Sequence, residues 1–298
     1  MTSAAAPTDR EAIPEAPNPL GLDGIEFIEY TTAKPQALGQ VLEMMGFRPV
    51  ARHRSREVLL YRQGAINVIV NAHVPALPDG AAPTDQPAIA AIALRVRDAA
   101  DAYQRVLARG AWAVPSRVEV MELNIPAIHG VGASRIYFVD RWREFSIYDV
   151  DFTPIPGVDA HPPALAGLRF FGIVQYIGTY RMEDWVEFYR ELFGFDALPD
   201  DERFGILPKG RVLRSPCGSF FLQLIEPEPG LLDIEGDESL RRIGLGTPDV
   251  LGAVAALRER GVAFVESKSV RPDERGALTE AMLGGSMFEL VHDARTGA

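Results

Sequence analysis

Apolar residues in this chain recur in two alternating rhythms. Short runs rich in Val, Ile, Phe and Tyr, bounded by Gly, Pro, Asn or Asp, predict strands. In the first half they read GIEFIEYT, VLLYRQ, INVIVNA, AIAAIALRV, RIYFVD and FSIYDVDF; in the second, FFGIVQYIG, SFFLQLIE, RIGLG and MFELVHD. Between them, four segments carry the 3.6-residue helical period. Their stripes are Leu38, Val41, Leu42 and Met45; Tyr103, Val106 and Leu107; Trp185, Phe188, Tyr189 and Leu192; and Val250, Val254 and Leu257. A surface helix must bury one face, so these stripes are expected in the core rather than around a cofactor.

Each helical segment runs into a glycine, in MMGFRPV, ARGAWAV, LFGFDAL and ERGVAFV, at Gly46, Gly110, Gly194 and Gly261. A helix C-terminus favours a left-handed residue there, which glycine adopts without steric cost. The pattern is an internal repeat: four times a strand, a helix, then two or three strands. The proline-rich, aperiodic stretch at residues 153–167 reads as a linker between two halves, residues 19–152 and 168–298. Residues 1–18, rich in Ala, Pro and Thr, are expected to form a disordered tail.

A βαβββ unit used twice to curl a sheet into a cup resembles the vicinal oxygen chelate superfamily. The first half is similar to bacterial 4-hydroxyphenylpyruvate dioxygenases in GLDGIEFIEY, MGFRPVARHRS, LYRQGAINVIVN, ELNIPAIHGVG and SIYDVDF; WVEFYRELFGF and FELV carry the likeness in the second half. The fold this implies is α+β, two glyoxalase/dioxygenase-like domains, each a cup of two βαβββ modules. The implied activity lies in aromatic compound metabolism, with Fe(II) held in the second domain by two histidines and one glutamate. Counted back from LFGF, the first of those positions is Gly172; counted back from the helix ending at Gly261, the second is Arg242; the third is Glu289, in MFELV.

One ligand type of three is therefore present. A non-haem iron site needs two imidazoles and a carboxylate on one face. Glycine offers no side-chain donor, and arginine stays protonated. Of the five histidines, His53, His73, His129 and His161 precede the second domain, and His292 follows Glu289 by three, on the opposite strand face. The leading expectation is a dioxygenase-like protein with a degenerate iron site and no cofactor, which binds a small carboxylate, aromatic or not. Metal-free lyase or isomerase chemistry is open to such a cup. One alternative is an active Fe(II) dioxygenase of an aromatic 2-oxo acid with atypical ligands. Another is a non-catalytic binding or assembly protein, for which a homo-oligomer is open.

With Glu289 facing the cup, strand alternation places Met287 and Val291 beside it. Phe170, Gly172, Val174 and Tyr176 are expected to share one face, and Arg242, Gly244 and Gly246 another. Aromatics, glycines, one cation and one anion suit a small anionic ligand. Arg242 is the candidate carboxylate anchor and Glu289 the candidate base; a purely structural ion pair between them is the competing view. Gln175 and Gln223 are candidates to orient a polar ligand. Glu26 and Glu29, three apart on the first strand, are expected on opposite faces. Ala51–Arg56 (ARHRSR) reads as a loop and His129 as part of a glycine-bearing turn.

Composition narrows the partners. The chain has 298 residues, 47% hydrophobic and 24% charged, which excludes wholesale disorder. A formal net charge of −11 with no basic patch argues against nucleic acid. A single cysteine, Cys217, excludes an intramolecular disulfide and fits a reducing cytoplasm. No apolar run approaches the ~18 residues of a membrane span, and the N-terminus has no basic start followed by an apolar stretch. The last apolar run lies close to the C-terminus, so the helix that relatives place over the cup mouth is not expected, and the cup should be more open to water.

Overall fold

A computed structural model describes residues 18–72, 85–115, 123–143, 145–199, 204–206, 210–226 and 238–295. The expected tail, but for Asn18, and His73 lie outside them.

The fourfold repeat is present. The first module is β1 (Ile25–Thr31), α1 (Pro35–Met44), β2 (Arg48–His53), β3 (Val58–Gln63) and β4 (Ile66–Asn71). The second is β5 (Ala88–Arg95), α2 (Ala99–Ala108), β6 (Ala127–His129) and β7 (Arg135–Val139), followed by α3 (Ile147–Asp151) and β8 (Phe152–Pro154). The third is β9 (Arg169–Tyr176), α4 (Met182–Phe193), β10 (Asp196–Ala197), β11 (Arg211–Arg214) and β12 (Phe221–Ile225). The fourth is β13 (Ser239–Thr247), α5 (Val250–Glu259), β14 (Gly276–Leu278) and β15 (Met287–His292). No described helix is long and apolar enough to cross a membrane.

Local chemistry sets the helix ends. Asp98 and Asp249 cap α2 and α5 by accepting from the backbone N–H groups of Asp101 and Gly252. Gly46, Gly110, Gly194 and Gly261 all take positive φ, between 78° and 98°, the left-handed turn that returns the chain to the sheet.

The two halves share one topology. In the first, β1 pairs parallel with β4 and antiparallel with β5, and β5 pairs parallel with β7. In the second, β9 pairs parallel with β12 and antiparallel with β13, and β13 pairs parallel with β15. Even the irregularities repeat. An extra residue interrupts β1 at Glu26 and β5 at Ala90; extra residues interrupt β9 at Phe171 and β13 at Arg241. Leu240 opposite Ile89 joins the halves into one sheet.

Helices α1, α2, α4 and α5 pack on the convex side of the two halves. Leu38 and Leu42 of α1, Val106 of α2, Phe193 of α4 and Leu257 of α5 share one core with Ile28, Ile92, Ile173 and Ile243 of the strands. Phe138 of the first half stacks on Phe193 of the second, centroids 6.3 Å apart. Two arginines at helix C-caps cross between halves. Arg109 donates to the carbonyl of Glu191 at 2.7 Å, and Arg260 to those of Met44 and Glu43 at 2.9 and 2.6 Å. Each satisfies carbonyls that a helix end leaves without an intrahelical partner.

Several sequence expectations change. FSIYDVDF is not one strand: Ser146 and Asp149 form a reciprocal capping box, and the backbone closes into α3 before β8 begins at Phe152. Ala51–His53 belong to β2 rather than a loop, and His129 ends β6. The expected linker begins inside a strand, with Thr153 and Pro154 of β8 paired to Arg52 and Ala51. Glu26 and Glu29 do not face opposite ways. The bulge at Glu26 shifts the alternation, so Glu26 reaches Asn67 and Arg95 while Glu29 accepts from Asn71, all on the concave side.

Candidate functional site

The concave faces differ sharply. The first cup is filled: Phe27, Val50, Ile69, Ala93 and Val139 pack with Ile147 and Tyr148 of α3 and with Phe152. By strand register, Phe27, Ala91 and Tyr137 there correspond to Gly172, Arg242 and Glu289 of the second cup. The ring of Phe27 thus gives way to Gly172, and Ala91 and Tyr137 give way to an ion pair.

Arg242 and Glu289 lie almost wholly buried on neighbouring strands, their side chains 8% and 5% exposed. Arg242 Nε stands 3.9 Å from Glu289 Oε2, beyond hydrogen-bond reach, and has no hydrogen-bond partner among the described residues. One terminal nitrogen, Nη1, donates to the Tyr176 hydroxyl at 3.3 Å. The ring of Tyr176 carries two cations, the guanidinium carbons of Arg241 and Arg242 lying 5.6 and 5.9 Å from its centroid. Burial pushes the Glu289 carboxyl up to about 7 against the pull of Arg242. Desolvation therefore outweighs the opposite charge at this distance.

Aromatic rings form the adjoining wall. Phe171 and Phe221 stack with centroids 4.9 Å apart, and Phe204 packs against both at 5.2 and 4.6 Å. Next to Phe204, Gly205 presses on Glu289: a methyl group there would come within 2.5 Å of Oε1. The guanidinium of Arg295 covers Phe171 and Phe221 from one side, 5.6 and 5.3 Å from their centroids. Asp293 holds it, and also binds Arg169 at 2.6 Å. Burial works against the Asp293 charge, but the hydrogen bonds from Arg295 and Arg169 prevail and hold its carboxyl down at about 2.

Four of the six residues expected around the site face it: Arg242, Glu289, Tyr176 and Gln223, the last opposite Val174 in register. Two do not. Phe170 lies on the helix side against Phe220, because the extra residue at Phe171 reverses the alternation and brings Phe171 into the cup instead. Gln175 is also on the helix side, fully buried, where it accepts from the Tyr189 hydroxyl at 2.8 Å. Sequence reasoning misses the rings of Phe171, Phe204 and Phe221 and the cation of Arg241. A bulge adds one residue to a strand without a compositional mark, so strict alternation does not find Phe171 or Arg241; Phe221 shares the face of Gln223 by plain alternation, and Phe204 lies outside the strands.

The residues do not suit an iron ion. A side chain at Gly172 would meet the Phe221 carbonyl oxygen at 2.4 Å from its Cβ, so the backbone there is packed for glycine. Arg242 brings a positive charge to the second position, where a cation would need a lone pair. Among the described residues no three His, Cys, Asp or Glu side chains are grouped to hold a metal. His53 sits edge-on to Phe152 in the first half, and His292 is exposed.

Comparison with known proteins adds ancestry to this geometry. Residues 16–153 match the family model for the N-terminal region of hydroxyphenylpyruvate dioxygenase, and residues 172–288 that of the glyoxalase/bleomycin resistance protein/dioxygenase superfamily. A 4-hydroxyphenylpyruvate dioxygenase from Pseudomonas sp. (strain P.J. 874) is 43% identical over 262 residues, covering 83% of this chain and 72% of that protein. A 3-dehydroshikimate dehydratase from Pseudomonas aeruginosa is 36% identical over 266 residues, 84% of this chain but 41% of that longer protein. Among solved structures, a fusion of a xylose isomerase-like TIM barrel with 4-hydroxyphenylpyruvate dioxygenase superposes with a TM-score of 0.71 at 26% identity, over 95% of this chain and 51% of the fusion. A variant of 4-hydroxymandelate synthase from Streptomyces coelicolor shares the fold at the same TM-score over 94% of this chain and 95% of its own, at 18% identity. With a dioxygenase relative this similar along nearly three quarters of its length, and the same paired cups in the fold, the chain belongs to the 4-hydroxyphenylpyruvate dioxygenase family of the vicinal oxygen chelate superfamily.

Proposed function

We propose that the second cup binds a small carboxylate on Arg242, in place of the iron centre of its relatives, and offers Glu289 for metal-free proton transfer. The observation that carries this reading is the buried Nε of Arg242, without a hydrogen-bond partner among the described residues and 3.9 Å from Glu289. A buried guanidinium without a full set of acceptors is costly. A carboxylate bound across its planar fork completes them with two charge-assisted hydrogen bonds. Tyr176 keeps the guanidinium oriented through Nη1.

The wall of Phe171, Phe204 and Phe221 supports a flat or aromatic body on the ligand, since such rings stack favourably. The names of the relatives contain 4-hydroxyphenylpyruvate and 3-dehydroshikimate, both oxo acids, and a carbon next to an oxo group readily exchanges a proton. A carboxyl that titrates near neutrality can both accept and return that proton. An isomerase- or lyase-type step fits these groups. The lone cysteine supports a reducing cytoplasm as its setting.

The test is metal content. Protein loaded anaerobically with Fe(II) and then desalted should retain far less than one equivalent. Stoichiometric iron with Glu289 as a ligand would overturn the reading.

A further inference from the structure

We infer that the cup takes a ligand with two anionic groups, the first on Arg242 and the second on Arg241. The inference rests on Arg242 as the carboxylate anchor and names what lies beyond it.

In a regular strand, neighbouring residues point to opposite faces. Here the register slips between Leu240 and Arg242, so Arg241 is the extra residue of a bulge. Bulges re-aim side chains in this way. Both guanidinium groups therefore lie within 6 Å of the Tyr176 ring centroid, Arg242 buried and Arg241 exposed. Cation–π contact with one ring holds two like charges on the same side of the sheet. Arg241 has no ion pair or hydrogen bond with any described residue. Among the described residues the carboxylate paired with these two cations is Glu289, on the Arg242 side, and burial favours its neutral form. Among the described residues, the ring of Tyr176 thus gathers two cations, of which only Arg242 has a carboxylate beside it.

A single carboxylate on Arg242 leaves Arg241 unmatched. A second anionic group on the same small molecule, a carboxylate or a phosphonate or phosphate, would meet it. The solvent-side pair is screened, so it should add about fivefold in affinity rather than the larger factor of a buried contact.

Calorimetric titration with butyrate, glutarate and 3-phosphonopropionate tests this. Wild-type protein should bind glutarate about fivefold more tightly than butyrate, and Arg241→Met should erase the preference. A like gain with 3-phosphonopropionate assigns the second position to either anion; a gain with glutarate alone assigns it to a carboxylate. Equal affinity for butyrate and glutarate in the wild type, or a preference that survives Arg241→Met, overturns the second contact while leaving the anchor standing. Butyrate affinity unchanged in folded Arg242→Met overturns the anchor itself, and a wild type that binds none of the three probes overturns both.

Discussion

Replacing Glu289 by glutamine should make the protein more stable at alkaline pH and leave its stability nearly unchanged at acid pH. Glu289 ionises near pH 7 in the folded chain, against an ordinary value of 4.5, because burial penalises the charge more than Arg242 rewards it at 3.9 Å. A carboxyl raised in this way adds stability that is fully present below the unfolded value and is lost as pH rises through the folded one. At roughly 1.4 kcal/mol per pH unit, the loss between pH 4.5 and pH 7 is about 3 kcal/mol. Glutamine keeps the shape and stays neutral, so it escapes that loss. Melting of wild type and Glu289→Gln at pH 5 and pH 8.5 reads the difference directly. At about 2 °C per kcal/mol for a chain of this size, the variant should gain roughly 6 °C over wild type at pH 8.5 and little at pH 5. A melting difference that is the same at both pH values would refute the argument that an uncompensated, buried carboxyl faces the cup. A variant less stable than wild type at pH 8.5 would show instead a structural ion pair, whose disruption strands a charge.

Carboxylate affinity should weaken as pH rises through 7, because a bound anion competes with ionised Glu289 for Arg242; titration of butyrate at pH 6 and 8 checks the sign. Asp293→Asn should destabilise by about 2 kcal/mol at neutral pH, since Asp293 ties Arg169 to Arg295. Because the Asp293 carboxyl is held down at about 2, against an ordinary 3.8, that contribution should fade in urea-melting series as pH falls from about 4 to 2. Arg109→Ala and Arg260→Ala each uncap a helix end across the two halves; each should cost about 1 kcal/mol in chemical denaturation, and the double variant about the sum, as the two arginines bind different helix ends.

The repeat is legible in the sequence because its signals are local and chemical. Four amphipathic stripes ending in glycine fix four helices, and each helix fixes the strand before it. Counting back from a helix end under the family resemblance arrives at Gly172 and Arg242, each of which directly follows a bulge residue, Phe171 or Arg241. Facing direction is harder. A bulge depends on how one strand meets its neighbour, and nothing in FFGIVQ or SLRRIG marks Phe171 or Arg241 as the extra residue. Strict alternation from Gly172 therefore puts Phe170 in the cup and leaves Phe171 out, whereas it already sets Gln175 on the face opposite Tyr176. FSIYDVDF misleads for a different reason. Its aromatic and β-branched residues resemble a strand, but Ser146 with Asp149 three residues on is a helix-start signature. The contact of Phe204 and Gly205 with the site joins residues distant in sequence, and no local pattern announces it.

The central claim is that a buried guanidinium has taken over the binding role of a metal. Calorimetric titration of 4-hydroxyphenylpyruvate into EDTA-treated wild-type and Arg242→Met protein tests it most directly. The metal-free wild type should bind, and folded Arg242→Met should bind ten- to a hundredfold more weakly, the worth of a charge-assisted contact of about 1.5–3 kcal/mol. Binding that appears only once Fe(II) is restored, or that is equally tight without the guanidinium, would contradict it.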